Sequence, residues 1–410
     1  MSFMIFTISA ASYLYMTPSA LAAYASYYFY PPPPILDPTI APIQRRAFRM
    51  GGSRPVCPMY GWHAERYADL RNTTNVFLAV NFYNNEDILP TFFQELPVLV
   101  RHLGPERVFV SVYENGSQDS TPEMLALLDD LLAALRVPHQ VVYSAEGDIS
   151  RKERGHRIEV LANVRNRVLA PLYSGAAAVH VPGGSFDDLL FMNDIAFCAA
   201  DMLELLHEKR AHGANQVCAL DWVGAYIYDN WVLRTMRGTM FYMTKINVIP
   251  WLHRKHPYLF RTGQRYALLD SDADKARLAR ALPLQVFSCW DGATAFDAAP
   301  FAAPGGIRFR MARADRDDAG QTRTITDLAS ESFLSSVDMW KAGRGRIMVV
   351  PKASVAYDYK TYRLHRKDYV EPPPYAHAAF VWQDTPPAQV AMLDYGNWTQ
   401  PIHWAPWDEQ

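Results

Sequence analysis

Short apolar runs alternate with segments of helical periodicity from Asn75 onward, a pattern typical of βα units around a largely parallel sheet. Seven runs predict buried strands, at 75–81, 107–113, 139–143, 189–194, 216–221, 285–290 and 346–351. Helical patterns occupy the intervals 86–102, 121–136, 157–170 and 195–212. The alternation therefore predicts an α/β protein. Thr121 is expected to cap the helix that follows the second run.

The two ends of the chain depart from this pattern. Residues 1–30 are mostly apolar, small or tyrosine, with no charged side chain before Asp37, which predicts a hydrophobic leader that could anchor the protein in a membrane. Four prolines at 31–34 begin an extended stem over 31–72. A single catalytic domain is predicted over 73–365, and 366–410 form an aromatic and proline-rich C-terminal extension packed on the body.

Composition excludes several classes of function. Half of the 410 residues are hydrophobic and the net charge is −2, so the chain can bury a large core but carries no basic signature of nucleic-acid binding. Its four cysteines form no CxxC pair, which argues against a thiolate zinc site and leaves the redox compartment open. The motifs of α/β hydrolases, P-loop proteins, zinc proteases and dinucleotide-binding dehydrogenases do not occur.

Polar side chains recur where the predicted strands end. In chain order they are Asn81, then Glu114, Ser117 and Asp119, then Asp194, then Asp221. Ligands of open α/β sheets bind beyond the carboxyl ends of the strands, so this recurrence predicts a binding site there. The segment 114–121 is also compatible with an ordinary polar loop that leads into a capped helix.

Two further features have alternative interpretations. Asp194 ends an apolar run, where its carboxylate suits Mg²⁺ or Mn²⁺ on a nucleotide diphosphate, although it could also cap the helix predicted at 195–212. Arg157, Arg165 and Asn166 lie on a predicted helix, and guanidinium groups suit diphosphate oxygens. A solvated basic helix face is the other interpretation of these residues.

Seven segments together resemble the fungal capsule-associated, cryptococcal-type α-1,3-mannosyltransferase family. They are VNFYNNEDILP, VFVSVYENGSQDST, RIEVLANVRNRVL, FMNDIAFCAADMLELL, CALDW, VFSCWDGA and GRIMVVPKASVAYD, in this order within residues 70–360. The resemblance implies a GT-A-like Rossmann-type fold, with a mostly parallel sheet flanked by helices. It also implies a metal-dependent, retaining glycosyltransferase that moves mannose from GDP-mannose to a mannose-containing glycan of a fungal capsule or cell wall.

The resemblance also implies roles for individual residues. Asp194 stands at the acid of a D-x-D motif and would bind Mn²⁺ or Mg²⁺, with Asn193 replacing its acidic neighbour. Asp221 and Glu331 are the implied catalytic carboxylates. Trp222 and Trp290 offer flat faces on which sugar rings can stack, although core packing is the other interpretation, and Asp291 is predicted beside them as a sugar contact. The implied donor-binding residues are Asn81, Glu114, Ser117, Asp119, Arg157, Arg165, Asn166 and Asn193.

Some assignments stay open within the resemblance. Ser332 replaces a cysteine of the family pattern, which leaves the roles of Glu331 and Asp338 unsettled, and a metal histidine could be His365, His377 or His403. The family implies a Golgi membrane enzyme with a lumenal catalytic domain, whereas arginines after the leader favour a cytosolic body. The functional alternatives are the same fold with another donor, such as a UDP-sugar, or a non-catalytic glycan-binding or polysaccharide-export protein.

Overall fold

The computed structural model describes residues 37–52, 54–55, 57, 65–144, 157–224, 226–229, 231–240, 271–312, 329–365, 381–392 and 403–409. The strands are β1 Val76–Phe82, β2 Val108–Asn115, β3 His139–Ser144, β4 Asp188–Met192, β5 Gln216–Val223, β6 Tyr226–Ile227, β7 Arg234–Thr235, β8 Leu284–Ser288, β9 Ala293–Asp297, β10 Ile347–Ala356, β11 Gln389–Met392 and β12 His403–Pro406. The helices are α1 Ala41–Met50, α2 Leu89–Leu103, α3 Thr121–Ala134, α4 Arg157–Val168, α5 Ala170–Tyr173, α6 Ala199–His212, α7 Asp272–Ala279, α8 Ala299–Ala302, α9 Glu331–Lys341 and α10 Tyr359–His365.

One large sheet organises the fold, with the strand order β3-β2-β1-β4-β9-β5-β10-β8-β7 and with β6 paired to β5. Strands β1 to β4 are parallel neighbours, and β5 and β10 form a second parallel pair. Strand β9 runs antiparallel between β4 and β5. This sheet, with helices packed on its strands, confirms the predicted α/β class. Its first half is parallel and its second half is mixed.

The core lies between the sheet and its helices. Strands β2 and β4 are buried along their whole length, as expected for parallel strands covered on both faces. Helix α4 packs on β1 and β2, and α6 packs along β5, β9 and β10. These helices connect parallel strands, so the carboxyl ends of β1, β2 and β4 meet at one edge of the sheet.

The ends of the chain pack on this body where they are described. Helix α1, which falls in the predicted stem, contacts α2 and α3, and Gln44 donates a hydrogen bond to the carbonyl of Phe93 at 2.8 Å. In the predicted C-terminal extension, Trp382 donates to the carbonyl of His212 at 2.9 Å. The predicted leader, 1–30, lies outside the described residues. Within the described ranges, no helix is both long and apolar enough to span a membrane.

Two disulfides connect distant parts of the chain. Cys57 pairs with Cys198, which is the residue just before α6, and Cys218 of β5 pairs with Cys289, which directly follows β8. Neither pairing was predicted from the sequence, because cysteine spacing alone does not determine connectivity.

Candidate active site

A pocket of about 480 Å³ opens at the carboxyl ends of β1 and β4. Its wall is formed by the ends of these strands, α4 and the segment after β6. Trp290, the start of α9 and the residue after β10 complete it. The lining residues are Asn81, Tyr83, Arg157, Leu161, Arg165, Asn193, Asp194, Tyr228, Asp229, Trp231, Val232, Trp290, Ser330, Glu331, Ser332 and Tyr357. The pocket therefore lies at the sheet edge where the sequence predicted a binding site.

Asn193 connects three sides of the pocket. Its side-chain oxygen accepts hydrogen bonds from Arg165 Nη1 at 3.3 Å and from Trp290 Nε1 at 3.1 Å. Its amide nitrogen donates to the hydroxyl of Tyr357 at 2.8 Å. An amide can donate and accept at once, whereas a carboxylate only accepts, which gives a physical reason for asparagine at this position of the D-x-D pattern.

Asp194 lies in the pocket wall and does not cap a helix. Helix α6 begins at Ala199, and its first amides are satisfied by other carboxylates: Glu95 accepts from Ala199 N, and Asp201 accepts from Cys198 N, both at 2.8 Å. Asp194 instead accepts a hydrogen bond from Asn85 Nδ2 at 2.7 Å and is half-buried. The helix-cap interpretation of Asp194 is therefore wrong.

Arg165 is held in a fixed orientation inside the pocket. Its Nε donates to Glu331 Oε1 at 2.9 Å, and its guanidinium carbon lies 4.0 Å from the centroid of the Trp290 ring. Both Arg165 and Glu331 are buried, so the ion pair is poorly screened by solvent. The pairing places a cation and a carboxylate at the start of α9, with Arg157 elsewhere in the same wall.

Three further carboxyl groups form an acidic cluster, defined here as Asp221, Asp229 and Asp291. Asp221 and Asp291 are fully buried, and Asp229 is half-buried at the pocket wall. The backbone N–H of Asp229 donates to Asp221 Oδ1 at 3.1 Å. Among the described residues, neither carboxylate oxygen of Asp291 has a hydrogen-bond partner. Such a group is costly to bury in its charged form.

The protonation of the acidic cluster follows from this burial. Desolvation, together with the charges of the neighbouring carboxylates, raises the pKa of Asp221 and of Asp291 well above the usual range. Burial and the charge of Glu331 raise the pKa of Asp229 to about 7, against the lowering effects of the Asp291 backbone N–H and of Arg165. The pocket thus contains one carboxyl group that changes protonation near neutral pH.

A tight turn positions the acidic cluster. Asp291 and Gly292 have φ values of 48° and 77°, and the carbonyl of Gly292 accepts a hydrogen bond from Asn193 N at 2.8 Å. A Cβ atom on Gly292 would lie 2.9 Å from Val355 and 3.2 Å from Asp221. Glycine is therefore required where this turn meets β4 and β10.

Most of the residues predicted at the end of β2 join two loops. Glu114 accepts from Ser117 N, Ser117 Oγ accepts from Asn84 N at 2.8 Å, and Asp119 accepts from the backbone of Glu86 at 3.1 Å. None of these three predicted residues lines the pocket. Asn81 does line it, and its buried side-chain oxygen has no hydrogen-bond partner among the described residues.

The other predicted residues divide in the same way. Asn166 donates to the carbonyl of Phe309 at 2.8 Å, outside the pocket wall, while Arg157 and Arg165 line the pocket. Asp338 pairs with Arg310, at 2.8 and 2.9 Å, and lies away from the wall.

The predicted aromatic sugar contacts are mostly covered. Trp222 is buried outside the pocket wall, with the ring of His365 stacked on it at 3.9 Å and 4°. Trp290 lines the pocket but is only 1% exposed, with Arg165 over its ring. Tyr228, which is 52% exposed, and the half-buried Trp231 line the pocket instead. The sequence analysis missed both, because they follow a two-residue strand that has no recognisable pattern.

A divalent cation, implied by the resemblance, has limited protein ligands here. Among the described residues, the group of three cysteine, histidine or carboxylate side chains close enough to share a metal ion is Cys57, Glu95 and Cys198, and its cysteines are joined in a disulfide. His377 lies outside the described residues. The single carboxylate of Asp194 fits a cation that takes its other ligands from phosphate and water, as Mg²⁺ commonly does.

Comparison with known proteins finds a matching family model and a similar characterised relative. The family model described as cryptococcal mannosyltransferase 1 matches residues 75–338, a range that contains every lining residue except Tyr357. Alpha-1,3-mannosyltransferase CMT1 of Cryptococcus neoformans is 29% identical over 352 residues, which cover 80% of this chain and 70% of that relative.

Two solved structures are more distant. TarS 1–349 of S. aureus is 10% identical, with a TM-score of 0.37, and the match covers 69% of this chain and 60% of that one. Mannosyltransferase PcManGT of Pyrobaculum calidifontis, in complex with GDP-Man and Mn²⁺, is 12% identical, with a TM-score of 0.33, and the match covers 82% of this chain and 67% of that one. This chain thus spans about three fifths of the length of the TarS chain.

The family match spans more than half of the chain, which confirms the enzyme class predicted from the sequence, a glycosyltransferase. The chain belongs to the cryptococcal mannosyltransferase 1 family.

Proposed function

We propose that this protein transfers mannose from GDP-mannose to a mannose-containing glycan, forming an α-1,3 linkage with retention of the anomeric configuration. The observation that carries the proposal is the pocket, in which Asp194, Arg157 and Arg165 lie together at the carboxyl ends of β1 and β4. Carboxylate and guanidinium groups are the side chains expected around a nucleoside diphosphate and its cation. The family, and the relative from Cryptococcus neoformans, support mannose and the linkage.

The donor side of the pocket is built around Arg165. Glu331 and Asn193 fix the plane of its guanidinium group, which has five N–H donors and therefore keeps others for diphosphate oxygens. The unpartnered oxygen of Asn81 can accept from a hydroxyl or an N–H of the nucleoside. A divalent cation held by Asp194 would neutralise charge on the leaving diphosphate.

The acceptor hydroxyl attacks the anomeric carbon from the leaving-group side in this proposal, which gives retention. Glu331 acts beside the diphosphate by holding Arg165. Asp221 is fully buried, lies outside the pocket wall and accepts a hydrogen bond from the backbone N–H of Asp229, so it would hold Asp229 in the wall rather than contact a substrate.

The location of the enzyme is part of the proposal. Two disulfides support a Golgi lumenal body, since structural disulfides persist in oxidising compartments and are rare in the cytosol. Residues 1–30 would supply the membrane anchor.

Calorimetric titration tests the donor site. GDP, GDP-mannose and UDP are titrated into the purified full chain with Mn²⁺ and then with EDTA. We expect metal-dependent binding that prefers GDP over UDP, and an Asp194→Ala variant that binds at least about tenfold more weakly. Asp130→Ala is the matched control, because Asp130 is an exposed carboxylate on α3 and is absent from the pocket wall.

Each contrary result has a defined meaning. Wild-type affinity in Asp194→Ala would remove this residue from the donor site. A preference for UDP would favour a UDP-sugar donor. Failure of the wild type to bind any nucleotide, with or without the metal, would favour the non-catalytic alternative.

A further inference from the structure

The segment after β6 supplies one wall of the pocket. Four of its residues line the pocket: Tyr228, Asp229, Trp231 and Val232. None of them was predicted from the sequence to bind the donor. Two of the four are large aromatic side chains, and one is a carboxylate. Side chains of these types recognise sugars, because aromatic rings offer flat apolar faces and a carboxylate accepts hydrogen bonds from hydroxyl groups.

Asp229 is the member of the acidic cluster that a substrate can reach. Asp221 and Asp291 are fully buried behind the wall. Glu331 is also buried, and Arg165 occupies one of its carboxylate oxygens. Asp229 is half-buried and lines the pocket, whereas Asp221 and Asp291 do not line it.

Charged and buried surroundings raise the pKa of Asp229. The charged or titratable groups that interact with it are Glu331 on α9, Arg165 on α4, Arg234 on β7, Asp221 on β5, Asp291 after β8 and Tyr357 after β10. Burial and the charge of Glu331 raise the pKa of Asp229, and the two arginines partly oppose them. A carboxyl group with a pKa of about 7 suits general acid–base chemistry at neutral pH.

Two aromatic side chains near Asp229 line the pocket, the exposed Tyr228 and the half-buried Trp231. Tyr228 is among the most exposed large side chains of the described residues, and its ring centroid lies 4.8 Å from that of Tyr357, tilted by 57°. Trp231, two residues after Asp229, also lines the pocket. A sugar ring lying against these aromatic groups would present its hydroxyl groups to Asp229.

We infer that Tyr228, Asp229 and Trp231 form the acceptor subsite, in which a carboxylate oxygen of Asp229 accepts the proton of the attacking sugar hydroxyl. This inference rests on the proposed function. The acceptor oxygen forms a bond to the anomeric carbon, and the bond from that carbon to the phosphate oxygen breaks, with its electron pair leaving on the diphosphate. The proton of the acceptor hydroxyl moves to Asp229. The attack comes from the leaving-group side, as in the proposed function.

The first experiment compares Asp229→Asn and Asp229→Glu with the wild type and with Asp130→Asn, an exposed carboxylate on α3. We expect Asp229→Asn to bind GDP-mannose within about twofold of the wild type, while its kcat for transfer falls by about 10²- to 10⁴-fold. Asp229→Glu, which keeps a carboxylate, should recover part of this loss. Circular dichroism and thermal melting confirm that each variant is folded.

The pH profile separates a proton acceptor from a structural residue. Asp229 must be ionised to accept a proton, so kcat/KM of the wild type should rise with pH up to about pH 7 and then level off. The residual activity of Asp229→Asn should lack this rise. Transfer by Asp229→Asn within about fivefold of the wild type, or an unchanged rise in its residual activity, would overturn the role of Asp229.

The acceptor side is tested with Tyr228→Ala, with Tyr143→Ala as an exposed tyrosine control on β3. We expect the acceptor KM to rise by about three- to tenfold while GDP-mannose affinity stays unchanged. An unchanged acceptor KM would overturn the stacking contact. A wild type that transfers no mannose would overturn the proposed function and this inference together, whereas an active wild type with a fully active Asp229→Asn overturns this inference alone.

Discussion

Asn193 shows how one side chain can organise the wall of the pocket. Trp290 is almost fully buried, and its indole N–H donates to Asn193 Oδ1, which also receives Arg165. A buried donor that loses its acceptor pays its desolvation cost without compensation. The amide of Asn193 therefore fixes the positions of the Trp290 ring, the Arg165 guanidinium group and the Tyr357 hydroxyl relative to one another.

Replacing this amide tests that role. Asn193→Ala should lower the free energy of unfolding by about 1–3 kcal/mol, since Trp290 Nε1 and Arg165 Nη1 lose their shared acceptor. Asn193→Asp should recover only part of the loss, because a carboxylate accepts from both donors but cannot donate to the hydroxyl of Tyr357. Urea unfolding followed by circular dichroism measures both variants. A change of less than about 0.5 kcal/mol in Asn193→Ala would show that the pocket reorganises around the missing side chain.

At the scale of single residues, the sequence predicted which types of side chain form the site better than it predicted which of them line the pocket. Asn81, Arg157, Arg165, Asn193, Asp194, Trp290 and Glu331 were predicted as site residues and all line the pocket. Asp229 and Tyr228 were missed, because the chain turns twice within a few residues after β5 and local pattern does not reveal which side chains then face the pocket. Glu114 and Asp119 have suitable side chains, but an oxygen of each already accepts a hydrogen bond from a loop backbone N–H, that of Ser117 and that of Glu86 respectively.

Among the elements, α6 carries a buried network of charges that joins it to the preceding chain. Arg66 donates to both oxygens of Glu204, at 2.7 and 2.8 Å, and to Glu208 at 2.7 Å. His212 lies 3.0 Å from the other oxygen of Glu208, one helical turn away. Losing one member of such a network leaves the remaining buried charges uncompensated.

The pH dependence of stability follows from Glu208. Burial alone would raise the pKa of Glu208, but its hydrogen bond with His212 and the charges of Arg66 and His212 outweigh burial and lower it to about 2. A folded-state pKa below the unfolded value of 4.5 stabilises the protein above that value, and this stabilisation is lost as the pH falls towards 2.

Glu208→Gln should therefore be less stable than the wild type at pH 7, and the difference should shrink between about pH 4.5 and pH 2. Urea unfolding at pH 7, 4.5 and 3 measures the two proteins. Glu123→Gln, an exposed glutamate on α3, is the control and should show little difference at any of these pH values. A gap that stays constant with pH would mean that Glu208 stabilises the fold through packing rather than charge.

The regular elements were predicted most reliably where the pattern is local. The runs at 75–81, 139–143 and 216–221 correspond to β1, β3 and β5 within two residues at each end. Strand β9 was not predicted, because its position between β4 and β5 depends on long-range antiparallel pairing. The helix expected from 195 begins at Ala199, since the preceding residues extend beside β10, where Ala196 N donates to the carbonyl of Ala356 at 2.7 Å.

At the scale of the whole molecule, the two disulfides differ in how close to the pocket they lie along the chain. The pair Cys218–Cys289 joins β5 to the residue directly before Trp290 and Asp291. The pair Cys57–Cys198 joins an earlier part of the chain to the start of α6. Their sequence separations are 71 and 141 residues, so each constrains a long segment of the unfolded chain.

Removing each disulfide in turn distinguishes an effect on the free energy of unfolding from an effect on the geometry of the active site. The double variants Cys218→Ser/Cys289→Ser and Cys57→Ser/Cys198→Ser should each lose about 2–5 kcal/mol of unfolding free energy, because each opens a long loop. Only the first should also lower kcat per folded molecule, since the Trp290–Asp291 turn is then tied to β5 by weaker contacts. Thiol labelling verifies the pairing, and unfolding and transfer assays measure the effects. Equal kcat values in the two variants would show that Gly292 and Asn193 hold the turn in place without the covalent bond.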